Sequence, residues 1–118
     1  MPTLEFTVLV KRDGQPISGY PLVRKLTVTE VENKVFTQAT GGGFTAMTVG
    51  PLASLTGLVI QPDQQLSVRL NGQAAGEWVL NANGLLLILD ATINTAALAS
   101  LQNASGSTAN ITALVGGP

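Results

Sequence analysis

The sequence predicts an all-β protein: an antiparallel β-sandwich or a jelly-roll-like fold of about eight short strands. Apolar and polar residues alternate along most of the chain, and the 3.6-residue periodicity of helices is nearly absent. Turn residues recur about every ten positions, which is typical of short antiparallel strands. The 118 residues, 45% of them apolar, suffice for one core but not for two ordinary domains. We therefore expect residues 1–118 to form a single β-sandwich domain.

In the first half of the chain, the pattern predicts four strands. The first is half-buried, because Leu4, Phe6, Val8 and Val10 fall on one face, and it ends at the turn Asp13-Gly14-Gln15-Pro16. The next three are Leu22–Val31, Val35–Thr40 and Phe44–Val49, separated by a turn at Glu32-Asn33-Lys34, where Asn33 can be left-handed, and by a corner at Gly41-Gly42-Gly43.

In the second half, Asn71-Gly72 follows the alternating stretch Leu66–Leu70 and is the strongest hairpin signal in the chain. A two-residue loop would place an apolar face opposite a polar one. A three-residue loop over residues 71–73 instead pairs Leu66 with Trp78 and collects the apolar side chains on one face. Trp78 is therefore predicted to be the large core anchor, with a ligand platform as the alternative.

The strand Leu85–Asp90 is apolar on both faces, which predicts a central strand that is covered on both sides. A four-residue loop over residues 81–84 would join it to Glu77–Leu80, pairing Leu80 with Leu85 and Trp78 with Leu87. We expect Leu87→Asp to prevent folding or assembly, because it would bury an unpaired charge in this position.

The last stretch contains one ambiguous element. Thr95–Gln102 suits either a short helix or a strand, and the strand is preferred. Ala109–Val115 predicts the last strand, and Gly116-Gly117-Pro118 predicts a frayed end.

Composition excludes several classes of function. Charged residues make up 11% of the chain, against about 25% in soluble domains, and the net charge is −1. Neither nucleic acid nor an anionic membrane is therefore expected as a partner. The chain has no Cys and no His, which excludes thiol nucleophiles, Cys/His zinc sites and imidazole bases. No secretory signal is expected, because the first residues contain neither a basic segment nor a long apolar one. No membrane-spanning segment is expected, because the longest run of Leu, Ile and Val is Leu85–Leu89.

No catalytic, cofactor-binding or metal-binding residue is predicted, and the partner-binding residues stay unassigned. Glu30 and Glu32 can share a strand face, but nothing indicates a second acid across a cleft, so a solvated strand edge is expected. Asp63, which follows Pro62, is expected to form a turn, and no Lys-Ser/Thr follows the three glycines to make a phosphate loop. The sequence places five basic residues in its first third, expected on solvated strand edges or in salt bridges at an interface: Lys11, Arg12, Arg24, Lys25 and Lys34.

Two Asn-x-Ser/Thr triplets begin at Asn103 and Asn110, and chance explains them in a chain rich in Asn and Thr. Low charge and a mean hydropathy of +0.33 are typical of a protein whose surface is partly covered in an assembly.

Three stretches together resemble small β-sandwich virion proteins of tailed bacteriophages, which decorate or cement capsids or form collar and fibre parts. They are Leu66–Gly72, Gly84–Leu89 and Leu101–Thr112, which lie within about the last fifty residues. The resemblance implies a non-enzymatic structural protein, a homotrimer without cofactors, that binds the major capsid protein or another virion protein. It also implies a place on the capsid surface of the virion, after synthesis in the host cytoplasm.

Two other functions stay open. A tail, collar or fibre part follows from the same resemblance. A carbohydrate-binding β-sandwich module would need exposed aromatic residues, for which Tyr20, Phe36 and Phe44 are candidates. An enzyme that uses carboxylates alone is not expected.

Overall fold

The computed structural model describes residues 3–47, 55–70, 77–93 and 99–117. These residues form strands and no helix, which confirms the predicted all-β class. The strands are β1 Thr3–Val8, β2 Lys11–Arg12, β3 Gln15–Pro16, β4 Leu22–Thr27, β5 Glu30–Gln38, β6 Thr45–Ala46, β7 Leu55–Pro62, β8 Leu66–Leu70, β9 Trp78–Leu80, β10 Leu86–Ile93, β11 Ala99–Gln102 and β12 Ala109–Gly117.

Two four-stranded antiparallel sheets pack face to face as a β-sandwich. The first, sheet I, has the order β10-β7-β12-β5, and the second, sheet II, has the order β6-β11-β8-β9. Strands β1 and β4 pair separately, and β2 and β3 form a small hairpin. The described residues form twelve short segments where about eight were expected, because the first predicted strand and turn comprise three of them and β7 was not predicted.

The core lies between the two sheets and is built from alternate residues of each strand. Sheet I contributes Leu58, Ile60, Ile111 and Val115, all fully buried. Sheet II contributes Leu66, Val68 and Leu101, whose exposed fraction is at most 1%. Strand β7 lies between β10 and β12 and was not predicted, since Gly57 and Pro62 interrupt its apolar pattern.

The predicted turn at Glu32-Asn33-Lys34 is wrong. Strand β5 runs through these residues, and Asn33 pairs with Leu114 of β12. The chain turns instead at Val28 and Thr29: Val28 is fully buried, and the Thr29 N–H donates to the Gly117 carbonyl at 2.8 Å. Nine paired positions along β12 outweigh the weak local preference of Asn for turns.

The second-half pairings also differ from the prediction. Val68 pairs with Trp78 and Leu66 with Leu80, two residues away from the expected register, so the predicted faces are kept. Strand β9 lies in sheet II and β10 in sheet I, so the expected pairing of Trp78 with Leu87 does not occur. The expected loop at 71–73 lies outside the described residues. So do residues 48–49 and 95–98 of the strands expected at Phe44–Val49 and Thr95–Gln102.

The structure contradicts two further predictions. Strand β10 is at the edge of sheet I among the described strands, not in its centre. Both of its faces are apolar because one faces the core and the other is partly covered near β4. The predicted frayed end is also wrong: Gly116 and Gly117 are buried in β12. Of the ambiguous stretch, Ala99–Gln102 is a strand, as preferred.

Candidate interaction surfaces

A groove separates the edge strands of the two sheets on one side of the sandwich. It has a volume of about 510 Å³, and we call it the β5 groove. Seven consecutive residues of β5, Glu32 to Gln38, form one wall, and Thr45, Ala46 and Met47 form the other. Strand β6 has only two residues, so much of β5 faces no described strand of sheet II. The groove therefore exposes an edge of sheet I with which no described strand pairs.

An ion pair lies along this edge. Lys34 Nζ is 3.4 Å from Glu32 Oε1, and the side chains keep 21% and 38% of their exposure. The other carboxylate oxygen, Glu32 Oε2, is buried and accepts no hydrogen bond from the described residues. A buried charged oxygen without a donor is costly, so this edge can accept a further positive or hydrogen-donating group.

Hydrogen bonds close one end of the β5 groove. The Gln38 side-chain amide donates to the Leu101 carbonyl at 2.8 Å, and Asn103 Nδ2 donates to the Gln38 carbonyl at 2.9 Å. Gly41, at the corner after β5, donates its N–H to the Asn103 carbonyl at 2.9 Å. Gly41 and Gly42 have positive φ values of 88° and 73°, which confirms the predicted glycine corner. These hydrogen bonds thus close the end of the β5 groove near Gln38.

A second surface lies on the outer face of sheet II. The Arg69 guanidinium lies 3.9 Å from the centre of the Phe44 ring. Its Nη2 is 3.6 Å from Glu77 Oε2, while its Nε is buried and has no hydrogen-bond partner among the described residues. The guanidinium of Arg69 therefore occupies one face of the Phe44 ring.

Large hydrophobic side chains are exposed in four places among the described residues. Leu9, Ile17 and Val23 lie around the β1–β4 pair and the β2–β3 hairpin. Trp78 and Val79 lie on β9, with Trp78 53% exposed, so the prediction that Trp78 is a core residue is wrong. Its edge position explains the exposure, since β9 has a partner on one side only among the described strands. Val35 of β5 is 77% exposed and Leu85, just before β10, is 60% exposed.

A small cavity of about 200 Å³ is lined in part by Asp63, Asn83 and Asn110. Asp63 accepts hydrogen bonds from the Asn110 side chain at 2.8 Å and from its backbone N–H at 2.7 Å. These bonds hold the pKa of Asp63 below its usual value of 3.8. The Asp63 N–H returns a bond to the Asn110 carbonyl at 3.0 Å. Both carboxylate oxygens are used, so Asp63 joins the end of β7 to the start of β12.

The Asn-x-Ser/Thr triplet at Asn103 has a structural explanation. Asn103 is fully buried. Its Nδ2 donates to the carbonyls of Gln38 and Ser107, and its Oδ1 accepts from the backbone and hydroxyl of Ser105. The folded protein therefore cannot be glycosylated at Asn103. The side chain instead holds the turn between β11 and β12.

The other predicted residues are dispersed. Glu30 is exposed on β5, and Glu32 is the one acid among the described residues that line the β5 groove. Of the basic residues, Lys11, Arg12 and Arg24 are exposed, and Lys25 lies 3.6 Å from Glu5. Tyr20 and Phe36 are half-buried, and Phe36 lines the β5 groove. Sequence reasoning did not bring Arg69, Phe44 and Glu77 together, because the joining of β6, β8 and β9 in one sheet is not visible in local patterns.

Within the described ranges, no three acidic, His or Cys side chains are close enough to hold a metal ion. Nor do these ranges contain a helix of the length and hydropathy needed to span a membrane. No protein-family model matches the chain, and no curated protein matches it.

Proposed function

We propose that the chain is a non-enzymatic structural protein of a bacteriophage virion, a decoration or cement protein that binds the major capsid shell. The observation that carries this proposal is the exposure of large hydrophobic side chains in four separate places on one small sandwich. Such side chains contribute strongly to protein contacts when a partner covers them. Surfaces on different sides of one rigid domain suit a protein that bridges neighbouring shell subunits.

The surface composition supports the same proposal. Only 11% of residues are charged, and permanent interfaces are less charged and more apolar than solvated surfaces. Many copies on one shell add modest individual contacts into a large total stabilisation. The protein acts here as an oligomer, for which the resemblance to phage virion proteins implies a trimer, and it needs no cofactor. The site of action is the outer capsid surface, and a tail, collar or fibre position is the alternative.

Co-sedimentation tests the proposal. Purified protein is mixed with capsid shells of the virus that encodes the chain, and bound copies are counted after centrifugation. We expect saturable binding of many copies and a higher melting temperature of the shell. A shell that neither retains the protein nor gains thermal stability contradicts the proposal.

The exposed hydrophobic residues provide the matched variants. Leu9→Lys and Leu85→Lys place charges in two exposed hydrophobic positions outside β5 and leave the core unchanged. Thr112→Lys, at an exposed position of β12, is the control. We expect at least one of the first two variants to lose shell binding while all three melt cooperatively like the parent protein.

Binding of a saccharide is the second candidate, and the exposure of Trp78 favours it. An indole that is 53% exposed offers an apolar face on which a sugar ring can stack. Titration with oligosaccharides of glucose, galactose, mannose and N-acetylglucosamine, followed by Trp78 fluorescence, tests this function. Saturable quenching supports it, and unchanged emission with every sugar contradicts it.

A further inference from the structure

We propose that the free edge of β5 binds the same edge of a second copy of the chain, antiparallel, around a two-fold axis at Asn33. Strand β5 pairs only with β12 among the described residues, so one row of its backbone donors and acceptors is open. Open strand edges are templates for pairing with another chain. This inference does not rest on the proposed capsid function.

Charge complementarity selects both the partner and the register. In an antiparallel pair centred on Asn33, the positions that face each other have numbers that sum to 66. Glu32 of each copy then lies opposite Lys34 of the other. This places a second ammonium group beside the carboxylate whose Oε2 atom is buried and has no donor among the described residues. Opposite charges that face each other across two strands are stabilising.

Other two-fold registers match the charges less well. An axis at Lys34 would place that lysine opposite its own copy, and an axis at Val31 would place Glu30 opposite Glu32. Like charges in directly opposite positions destabilise a strand pair. An axis at Val35 would leave both charges opposite uncharged residues. The register at Asn33 is therefore the one in which each of the two charges meets its opposite.

The same register covers exposed apolar surface. Val35, which is 77% exposed, lies opposite Val31 of the other copy on the outer face of sheet I. Glu30 lies opposite Phe36 at the ends of the seven-residue overlap, which spans roughly 23 Å. On the inner face, the β5 groove of about 510 Å³ leaves room beside β5 for the facing Glu32 and Lys34 side chains.

The geometry determines the size of the assembly. A contact in which the same strand meets itself is isologous and closes as a dimer. Two four-stranded sheets would then join into one of eight strands. This differs from the trimer that the resemblance to virion proteins implies, and absolute mass distinguishes the two.

Mixing of two charge variants tests the inference. Glu32→Lys carries Lys at positions 32 and 34, and Lys34→Glu carries Glu at both. Like charges then face each other in each homodimer, so we expect the dissociation constant of each to rise about tenfold or more. In the mixed pair, every Lys faces a Glu of the other copy. We therefore expect the two variants to form a dimer on mixing, measured by light scattering across a wide dilution range.

Mixing also separates the contact between copies from the ion pair within one chain. Both variants lack the Glu32–Lys34 pair within their own chain, and mixing cannot restore it. Glu5→Lys and Lys25→Glu form the control, because these residues pair across β1 and β4 at 3.6 Å and are exposed. We expect the mass of the parent protein for each control alone and for their mixture.

Three results would overturn the inference. They are a parent protein that is monomeric at every concentration, a parent protein that is trimeric, and a mixture of Glu32→Lys and Lys34→Glu that stays monomeric although both variants melt cooperatively. A parent protein that forms the dimer but does not bind the capsid shell would contradict the proposed function alone.

Discussion

Gly57 of β7 and Gly116 of β12 lie directly opposite each other on the outer face of sheet I, and the β1–β4 pair packs on them. A Cβ atom at Gly116 would lie 2.8 Å from Leu4 Cδ1, and one at Gly57 would lie 3.1 Å from Leu26 Cδ1. The absence of both side chains lets Leu4 and Leu26 approach the sheet. Two glycines thus determine where the third layer of strands attaches.

Enlarging Gly116 should loosen this layer. Gly116→Ala is expected to cost little, because the end of the flexible Leu4 side chain can move. Gly116→Val should cost about 1–3 kcal/mol of unfolding free energy, since its methyl groups overlap with Leu4 and Val28. Urea unfolding measures the difference. Gly43→Val is the control, because a Cβ there has no atom within 4 Å, and equal losses in the two valine variants would contradict the packing role.

Removal of the Asn103 side chain should destabilise the protein strongly. Its amide is fully buried and bonds to Gln38, Ser105 and Ser107. Asn103→Ala leaves buried backbone groups without partners, so we expect a loss of about 2 kcal/mol or more in urea unfolding. Asn81→Ala, at an exposed position, is the control. A change in Asn103→Ala as small as that of the control would show that water replaces the lost bonds.

Acid should weaken the junction between β7 and β12. The pKa of Asp63 is lowered in the folded protein by the hydrogen bonds from Asn110, so the ionised carboxylate favours the folded state. Its contribution is complete above the usual pKa of 3.8 and is lost as the pH falls through the lower folded value. We expect Asp63→Asn to be less stable than the parent at neutral pH, with the difference shrinking below pH 3.8 in urea unfolding. A difference that does not depend on pH would contradict the role of the charge.

The elements that sequence reasoning recovered are those with strict alternation. The strands at residues 66–70 and 109–115 were predicted correctly, because each stretch places its apolar residues on one face. The same alternation predicted the half-buried first strand. Their neighbours were harder to infer. The pairing of Val68 with Trp78 depends on a loop whose length the Asn71-Gly72 signal does not determine.

Features that depend on tertiary contact were missed. Strand β7 contains Gly57, which reads as a strand breaker until the packing of Leu26 against it is known. Glu32, Asn33 and Lys34 resemble a turn in the sequence, yet β12 pairs with all three. The β5 groove could not be predicted for the same reason, because it arises where β5 and β6 become edges of different sheets.

The corrected position of β10 changes the expected effect of a charge at Leu87. From the sequence alone, Leu87→Asp should prevent folding. In the structure, Leu87 is half-buried and pairs with Val59, and its strand has a partner on one side only among the described strands. Water can therefore reach a carboxylate there at modest cost. Leu58 is fully buried between the sheets, where an unpaired charge is strongly destabilising. We expect Leu87→Asp to melt cooperatively at a lower temperature and Leu58→Asp to be unfolded, as judged by circular dichroism. An unfolded Leu87→Asp protein would mean that a neighbouring copy or another part of the chain covers this face of β10, whereas a folded Leu58→Asp protein would contradict the packing of the two sheets.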